Sequence, residues 1–203
     1  MNARAALTFK IASEQSEFDQ IHKLNYQTFV KEIEQYEDSE SEILIDKFHK
    51  ENTYIVCLKA NKLVGMVAVR DKRPFSLDFK LKNLDSYLPA IDSICEIRLL
   101  AVKKESRNGV ILRGLIQCAA EYCLSKKYNY AIISGIISQQ KLYSRIGFIP
   151  FGPLVGTQKA LFQPMYLTVE SFEKSYKTLF KNSGDVFTNE RTLLFPAGSG
   201  INL

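Results

Sequence analysis

The pattern of hydrophobic and polar positions in the first part of the chain predicts a strand followed by a helix. Residues 7–12 form a short apolar segment typical of a strand. Apolar residues spaced three and four apart over 18–29 predict an amphipathic helix. Ser13 or Ser16 is the expected N-cap of that helix, because serine side chains accept hydrogen bonds from the first free backbone N–H groups.

A β-hairpin is expected next. The acidic stretch 32–42 is predicted to be a loop or a frayed helix, and a short helical piece is predicted at 43–48. The β-branched and apolar runs 53–58 and 63–69 are separated by three residues, which is typical of a hairpin. Asn61 lies in the turn and suits a positive φ angle.

The second half of the chain alternates strands with helices. Residues 94–102 predict a strand and 110–127 a helix, and the continuous apolar run 130–137 fits a strand covered on both faces. The remaining predicted elements, in chain order, are a helix at 139–145, strands at 148–151 and 161–169, and a helix at about 170–181. This order predicts an α/β (α+β) fold with a single mixed central sheet and helices on both faces.

Composition limits the possible classes of protein. The 203 residues allow one domain with a short appendage, which we predict as a domain over 1–181 and a tail or linker over 182–203. A net charge of +5 is mild for this length and does not favour a nucleic-acid partner. We expect no membrane span and no signal peptide, and therefore a cytoplasmic protein.

Cysteine and histidine usage argues against a disulfide framework and against a metal site. The four cysteines all lie in apolar runs without a Cys-x-x-Cys pair, as expected of buried thiols in a reducing compartment. The only histidines are His22 and His49, too few for a histidine-rich metal site.

One candidate for ligand binding is the loop before the helix at 110–127. Arg107, Asn108 and Gly109 precede the helix, where free backbone N–H groups and the helix dipole favour an anionic phosphate group. Arg107 and Arg113 would add positive charge. A loop with one glycine is also common in ordinary connections, and spacing alone leaves both interpretations open.

Two further candidates are ionisable side chains next to predicted secondary structure. Glu96 and Arg98 lie two residues apart on one strand and therefore point to the same face of the sheet. Tyr143 belongs to the segment LYSRIGF, in which Gly147 ends a short helix. Tyr143 is either a packed aromatic residue or a phenol that donates a proton.

The segment from Ile94 to Phe148 resembles the GNAT superfamily of acyltransferases. The resemblance implies a fourth strand splayed away from the fifth, with the pantetheine arm of a coenzyme A thioester lying between them. It implies that Leu100, Ala101 and Val102 contact that arm. It also implies that Tyr143 protonates the leaving thiolate. The pyrophosphate would lie on the loop 106–112, at Arg107, Asn108, Gly109, Val110, Ile111 and Leu112.

The phosphate loop departs from the usual GNAT pattern, Gln/Arg-x-x-Gly-x-Gly/Ala. Only Gly109 is kept, and Ile111 fills the position of a small residue. Ile136 stands where an asparagine is often found seven residues before the tyrosine. These departures weaken the expectation of plain acetyl-CoA binding.

Residues 18–168 resemble more specifically the acyl-homoserine-lactone synthases and the related N-acyl amino acid synthases. Phe29 matches a phenylalanine of the first helix, Asp46 the first aspartate of an E-x-D-x-Y-D motif, and Glu96 the glutamate of an E-x-S-R-F strand. Other positions of the pattern differ: Asn25, His49, Ala68, Arg98 and Leu99 replace charged or polar residues of the lactone synthases. The resemblance therefore implies acyl transfer and argues against homoserine lactone synthesis.

The expected reaction moves an acyl group from a thioester to the amine of a small amino-acid-like acceptor. Glu96 is the candidate base, or alternatively a structural carboxylate paired with Arg98 or Arg70. A backbone N–H group near Leu100 would stabilise the oxyanion. Arg70 and Asp46 would bind the charged ends of the acceptor, with Phe29 and Arg98 as further substrate residues.

The resemblance leaves the donor and partners open. The donor is acetyl-CoA, a longer acyl-CoA or the acyl-phosphopantetheine of acyl carrier protein, and a homodimer is one possible assembly. One alternative is an ordinary acetyl-CoA-dependent N-acetyltransferase. The other is a non-catalytic GNAT module that binds an acyl thioester and is attached to another enzyme domain.

Overall fold

The computed structural model describes residues 6–89 and 93–180. The predicted tail, 182–203, lies outside these residues, and the domain boundary at 181 stays a prediction. Eight strands form one mixed sheet in the order β1-β2-β3-β4-β5-β8-β6, with β7 paired to β8. The α/β class predicted from the sequence is thereby confirmed. Within the described ranges, no helix is both long enough and apolar enough to cross a membrane.

The strands are β1 (Leu7–Ile11), β2 (Thr53–Lys59), β3 (Lys62–Arg70), β4 (Ile94–Val102), β5 (Tyr130–Ile136), β6 (Ile149–Pro150), β7 (Val155–Gly156) and β8 (Leu161–Thr168). The α-helices are α1 (Gln15–Asn25), α2 (Gly109–Ser125), α3 (Gln140–Ile146) and α4 (Val169–Phe180). A π-helix, Tyr26–Glu32, continues α1. The chain packs as two compact units, whose described parts are 6–69 with 99–125, and 70–89 with 93–98 and 126–180.

The first unit contains β1, β2 and β3 in antiparallel order, together with α1 and α2. Its turn between β2 and β3 has positive φ angles at Ala60 and Asn61, as predicted for Asn61. Close packing of α2 on β1 depends on Gly114, because a Cβ atom there would lie 2.2 Å from the ring of Phe9. Its main core joins α1, β2 and β3 through the buried residues Ile21, Leu24, Phe29, Tyr54, Val56, Leu63, Met66 and Ala68.

Helix α1 begins differently from the sequence prediction. Its N-cap is Glu14 and not Ser13 or Ser16. The reason is the carboxylate of Glu17, which accepts hydrogen bonds from the backbone N–H groups of Ser13 and Glu14 at 2.9 and 3.2 Å. Burial opposes ionisation of Glu17, but the hydrogen bonds from Lys10, Ser13 and Glu14 hold its pKa below the ordinary value.

Two other local predictions need correction. No helix forms at 43–48, and the only helical turn described near it is the 3₁₀ turn His49–Glu51. The strand β7 lies between the predicted strands at 148–151 and 161–169, where no strand was predicted, and pairs with β8 over two residues. The first segment is held by a backbone hydrogen bond from Leu44 to the carbonyl oxygen of His22, and β7 forms a short hairpin with β8.

The second unit is organised around β5. Its seven residues pair antiparallel with β8, from Tyr130 opposite Thr168 to Ile136 opposite Phe162. On its other side β5 pairs in parallel with β4, and the register covers three residues, from Ile94 opposite Tyr130 to Glu96 opposite Ile132. Helix α3 ends at Gly147, whose φ of 107° is the left-handed conformation expected of a helix C-cap glycine.

Candidate functional site

Glu96 lies on β4 in the second unit and is buried, with 1% of its surface exposed. Its carboxylate accepts a hydrogen bond of 2.8 Å from the backbone N–H of Ser76 and another from the Ser76 hydroxyl group. The guanidinium Nε of Arg98 lies 3.6 Å from the same carboxylate. The expected common face of Glu96 and Arg98 is confirmed, and the carboxylate is held in one orientation by its partners.

Arg70 is also buried in the second unit, with 1% of its surface exposed. Its Nε donates a hydrogen bond of 2.9 Å to the carbonyl oxygen of Pro74, two residues before Ser76. The side chain therefore supports the loop that holds Glu96. This differs from the expectation of an accessible ligand for the acceptor, and Arg70 as a substrate residue stays a prediction.

Tyr143 stands on α3 against the end of β5. Its ring packs so closely on Gly135 that a Cβ atom there would lie 2.8 Å from two ring carbons. Its hydroxyl oxygen accepts a hydrogen bond from the backbone N–H of Ile136. Burial raises the pKa of the phenol above its ordinary value, despite that hydrogen bond. The phenol is therefore protonated at neutral pH, as a proton donor must be.

The pairing of β4 with β5 shows that Glu96 and Tyr143 lie at different levels along β5. Glu96 lies opposite Ile132, whereas Tyr143 packs at the level of Gly135 and Ile136. Three to four residues along a strand correspond to roughly 10–13 Å. The two side chains are thus anchored at different levels of one strand, and their action on one substrate stays a prediction.

In the first unit, the end of β4 carries the residues predicted to contact a pantetheine arm. Leu99 has a φ of 53°, a conformation that costs a non-glycine residue about 1–2 kcal/mol. Such strain is often kept at functional sites. The positive φ angle of Leu99 interrupts the regular strand directly before Leu100, Ala101 and Val102. These three residues stay predicted donor contacts.

The loop before α2 uses several of its polar groups internally. The side-chain oxygen of Asn108 accepts hydrogen bonds of 3.1 Å from the backbone N–H groups of both Val110 and Ile111. Asn108 is therefore the N-cap of α2. Two N–H groups predicted to bind pyrophosphate are occupied by this side chain, which a phosphate group would have to displace.

Gly109 and Arg113 fit a phosphate group better. A Cβ atom at Gly109 would meet only the guanidinium group of Arg113, at 3.8 Å or more, so packing inside the chain does not require glycine there. The buried Nε of Arg113 has no hydrogen-bond partner among the described residues. The open backbone at Gly109, with the guanidinium group of Arg113 beside it, suits an external anion.

Arg107, by contrast, already has partners in the first unit. Its Nε donates a hydrogen bond of 3.0 Å to the carbonyl oxygen of Val102, and its Nη2 forms an ion pair with Glu32. Glu32 is the last residue of the π-helix, a rare element that often occurs at functional sites. The donor's phosphate groups would compete with the carboxylate of Glu32 for this arginine.

The predicted substrate residues Phe29 and Asp46 both have structural roles. Phe29 belongs to the core of the first unit and is 8% exposed. One carboxylate oxygen of Asp46 accepts hydrogen bonds of 3.0 Å from the backbone N–H of Phe48 and from the side-chain amide of Asn52. Contact with an acceptor remains a prediction for each.

Sequence reasoning missed Ser76 and Glu32. Ser76 lies in an irregular loop twenty residues before Glu96, and no local pattern marks its contact. Glu32 belongs to the acidic stretch predicted to be a loop or a frayed helix, and its ion pair with Arg107 spans 75 residues. The only available signal was complementary charge, acidic at 32–42 and basic around Arg107. Among the described residues, no group of three or more histidine, cysteine or acidic side chains is arranged to hold a metal ion.

Comparison with protein families decides the assignment. The model of the family described as N-acyl amino acid synthase FeeM matches residues 20–169, nearly three quarters of the chain. The chain belongs to this family. It is therefore an acyltransferase, and the resemblance inferred from its motifs is confirmed. Among curated proteins, no sequence matches the chain.

Solved structures confirm the GNAT-type fold. The structure of FeeM, an N-acyl amino acid synthase from uncultured soil microbes, is 14% identical with a TM-score of 0.70, covering 87% of this chain and 99% of FeeM. BjaI, a CoA-dependent acyl-homoserine lactone synthase solved with SAM and isopentyl-CoA, is 15% identical with a TM-score of 0.71, covering 86% and 90%. At such identities, these structures establish the fold alone.

Proposed function

We propose that the protein transfers an acyl group from a thioester donor, an acyl-CoA or an acyl carrier protein, to the amine of a small amino-acid-like acceptor. The observation that carries this proposal is the family match over residues 20–169, which spans every candidate site residue. The name of the family supplies the acceptor class, and BjaI, solved with isopentyl-CoA, supports a coenzyme A thioester as donor.

The proposed chemistry requires a base, an oxyanion donor and an acid. Glu96 accepts a proton from the acceptor's ammonium group, directly or through water, so that the amine can attack the thioester carbonyl. A backbone N–H near Leu100, next to the irregular Leu99, donates to the carbonyl oxygen as it becomes negative. Tyr143, which its raised pKa keeps protonated, then protonates the departing thiolate sulfur. The proton that the nitrogen loses as the amide forms restores the phenol.

A coenzyme A donor would contact the chain in two regions. Leu100, Ala101 and Val102 hold the pantetheine arm. The first turn of α2 holds the pyrophosphate, where Gly109 leaves the backbone open and the guanidinium group of Arg113 lies beside it. Arg98 orients Glu96 and remains a proposed substrate residue.

A second candidate is an ordinary acetyl-CoA-dependent N-acetyltransferase. Its specific support is the fold of a putative N-acetyltransferase from Lactobacillus plantarum, 14% identical with a TM-score of 0.59, covering 81% of this chain and 99% of that one. A panel of acetyl and longer acyl groups, each supplied on coenzyme A and on acyl carrier protein, distinguishes the two. Transfer of longer groups to an amino acid supports our proposal, and transfer of acetyl groups alone, to amines other than amino acids, supports the second candidate.

Location and assembly belong to the same proposal. The four cysteines are buried and free, consistent with the reducing cytoplasm. A homodimer and acyl carrier protein are proposed as partners, together with the small-molecule acceptor. Sedimentation of the purified protein, alone and with carrier protein, tests both assemblies.

A further inference from the structure

The ion pair between Glu32 and Arg107 occupies a charge that the proposed donor would need. Glu32 is 34% exposed and Arg107 44% exposed at their side chains. Both are therefore accessible to an incoming anion. The guanidinium group also remains anchored through its Nε to the carbonyl oxygen of Val102, at the end of β4. Exchange of the carboxylate for a phosphate would leave this anchor intact.

The position of Glu32 is fixed by its surroundings. It ends the π-helix Tyr26–Glu32. The chain beyond it is tied back to that helix, because Asp38 forms an ion pair with Lys31 and accepts a hydrogen bond from the hydroxyl of Tyr26. Glu32 is thus held between two anchored segments, which keeps its carboxylate beside Arg107.

We propose that Glu32 is an internal competitor of the donor's phosphate groups for Arg107 and thereby lowers the affinity of the donor site for coenzyme A. This inference rests on the proposed function. A pyrophosphate carries more charge and more acceptor oxygens than a carboxylate and gains from the exchange. Because the ion pair must be broken before a phosphate group reaches Arg107, Glu32 reduces the free energy gained when the donor binds.

The occupied N–H groups of Val110 and Ile111 strengthen this inference. The side-chain oxygen of Asn108 accepts their hydrogen bonds, just as the carboxylate of Glu32 pairs with Arg107. These groups are thus satisfied in the absence of donor, so that binding at them exchanges contacts instead of creating them. The effect of Glu32 is limited, because an exposed ion pair contributes little free energy. Removing its charge is expected to change donor affinity by about two- to fivefold.

The test measures binding of coenzyme A and of pantetheine, which lacks the phosphate groups, by calorimetry at low ionic strength. Glu32→Gln is expected to tighten coenzyme A binding about two- to fivefold and to leave pantetheine binding unchanged. Glu32→Ala should act in the same direction. The matched control is Glu37→Gln in the same acidic stretch, which should change neither. In an Arg107→Gln background, which itself weakens coenzyme A binding, Glu32→Gln should have no further effect.

Three results would overturn the inference. The first is unchanged or weaker coenzyme A binding in Glu32→Gln, the second is an equal gain for pantetheine, and the third is no coenzyme A binding by any variant. Acyl transfer from acyl carrier protein and from S-acyl pantetheine is assayed in the same proteins. If any of these three results is found but acyl transfer persists, the proposed function stands and only the inference about Glu32 fails. A wild-type protein that transfers an acyl group from no donor contradicts the proposed function itself.

Discussion

The carboxylate of Glu96 accepts hydrogen bonds from both the backbone N–H and the hydroxyl group of Ser76, in a loop twenty residues earlier in the chain. This double contact, together with Arg98 at 3.6 Å, fixes the orientation of the proposed base. It also supports the alternative in which Glu96 is structural. The two roles predict different outcomes on substitution.

If Glu96 is the base, Glu96→Gln lowers kcat by about 10²–10⁴-fold, because glutamine accepts hydrogen bonds but no proton. Steady-state kinetics and donor binding are measured on the same protein. The Kd for the donor should change far less than kcat. A turnover rate that stays unchanged across the pH range would show that Glu96 is a structural carboxylate.

Ser76→Ala tests the contact that orients Glu96 separately from the role of Glu96 as a base. It removes the hydroxyl contact and keeps the backbone N–H, so we expect a loss of stability of about 1–3 kcal/mol in the free energy of unfolding. Because the carboxylate itself is kept, kcat should fall much less than in Glu96→Gln. Urea unfolding and kinetics give both quantities, and equal losses of kcat would remove the distinction between positioning and proton transfer.

Tyr143→Phe removes the proposed acid while keeping the ring on Gly135. We expect a fall in kcat of about 10²-fold or more with a thioester donor. Since the phenol's pKa is raised above its ordinary value of 10.0, its ionisation should cause no loss of activity below that pH. The pH profile of the wild type checks this point, and a normal rate for Tyr143→Phe would exclude the acid role.

Gly135→Ala tests the packing that positions Tyr143. The added Cβ atom would lie 2.8 Å from two ring carbons, so the ring must move, at a cost of about 1–3 kcal/mol in the free energy of unfolding. The matched control is the same change in a Tyr143→Ala background, where the ring is absent. There the cost should largely disappear in urea unfolding. The same cost in both backgrounds would show that the ring contact is not responsible.

Stability should fall in mild acid because of His22. Burial is the main cause that lowers the pKa of this histidine below its ordinary value of 6.5, followed by nearby His49, while Asp19 acts in the opposite direction. The unfolded state therefore binds a proton at higher pH than the folded state does. Full stability is expected above pH 6.5, with a loss as pH falls from 6.5 through the lowered pKa. In thermal melts across this pH range, the melting temperature of His22→Gln should depend less on pH than that of the wild type.

Sequence reasoning succeeded where the determinants are local. Asn61 lies in a short turn between two apolar runs, and Gly147 follows a short helix, so each position follows from the conformations open to its residue type. The shared face of Glu96 and Arg98 follows from the two-residue period of a strand. These features require no knowledge of distant segments.

The missed features depend on tertiary contacts. Glu14 replaced the expected serine caps because Glu17 and Lys10 organise that turn together. The π-helix could not be recognised from the sequence, since the spacing of apolar residues up to Phe29 fits an α-helix equally well. The contact of Glu32 with Arg107 joins segments 75 residues apart. Such pairings are set by the fold and not by the local pattern.

The most direct test of the account is the stoichiometry of the proposed reaction. The wild-type protein and Glu96→Gln are incubated with an acyl-CoA or acyl carrier protein donor and a mixture of amino acids. Free thiol is then measured by titration and N-acyl product by mass spectrometry. We predict one N-acyl amino acid for each thiol released by the wild type, and little of either with Glu96→Gln. Thiol release without N-acyl product, or no reaction with any donor by the folded wild-type protein, would contradict the account.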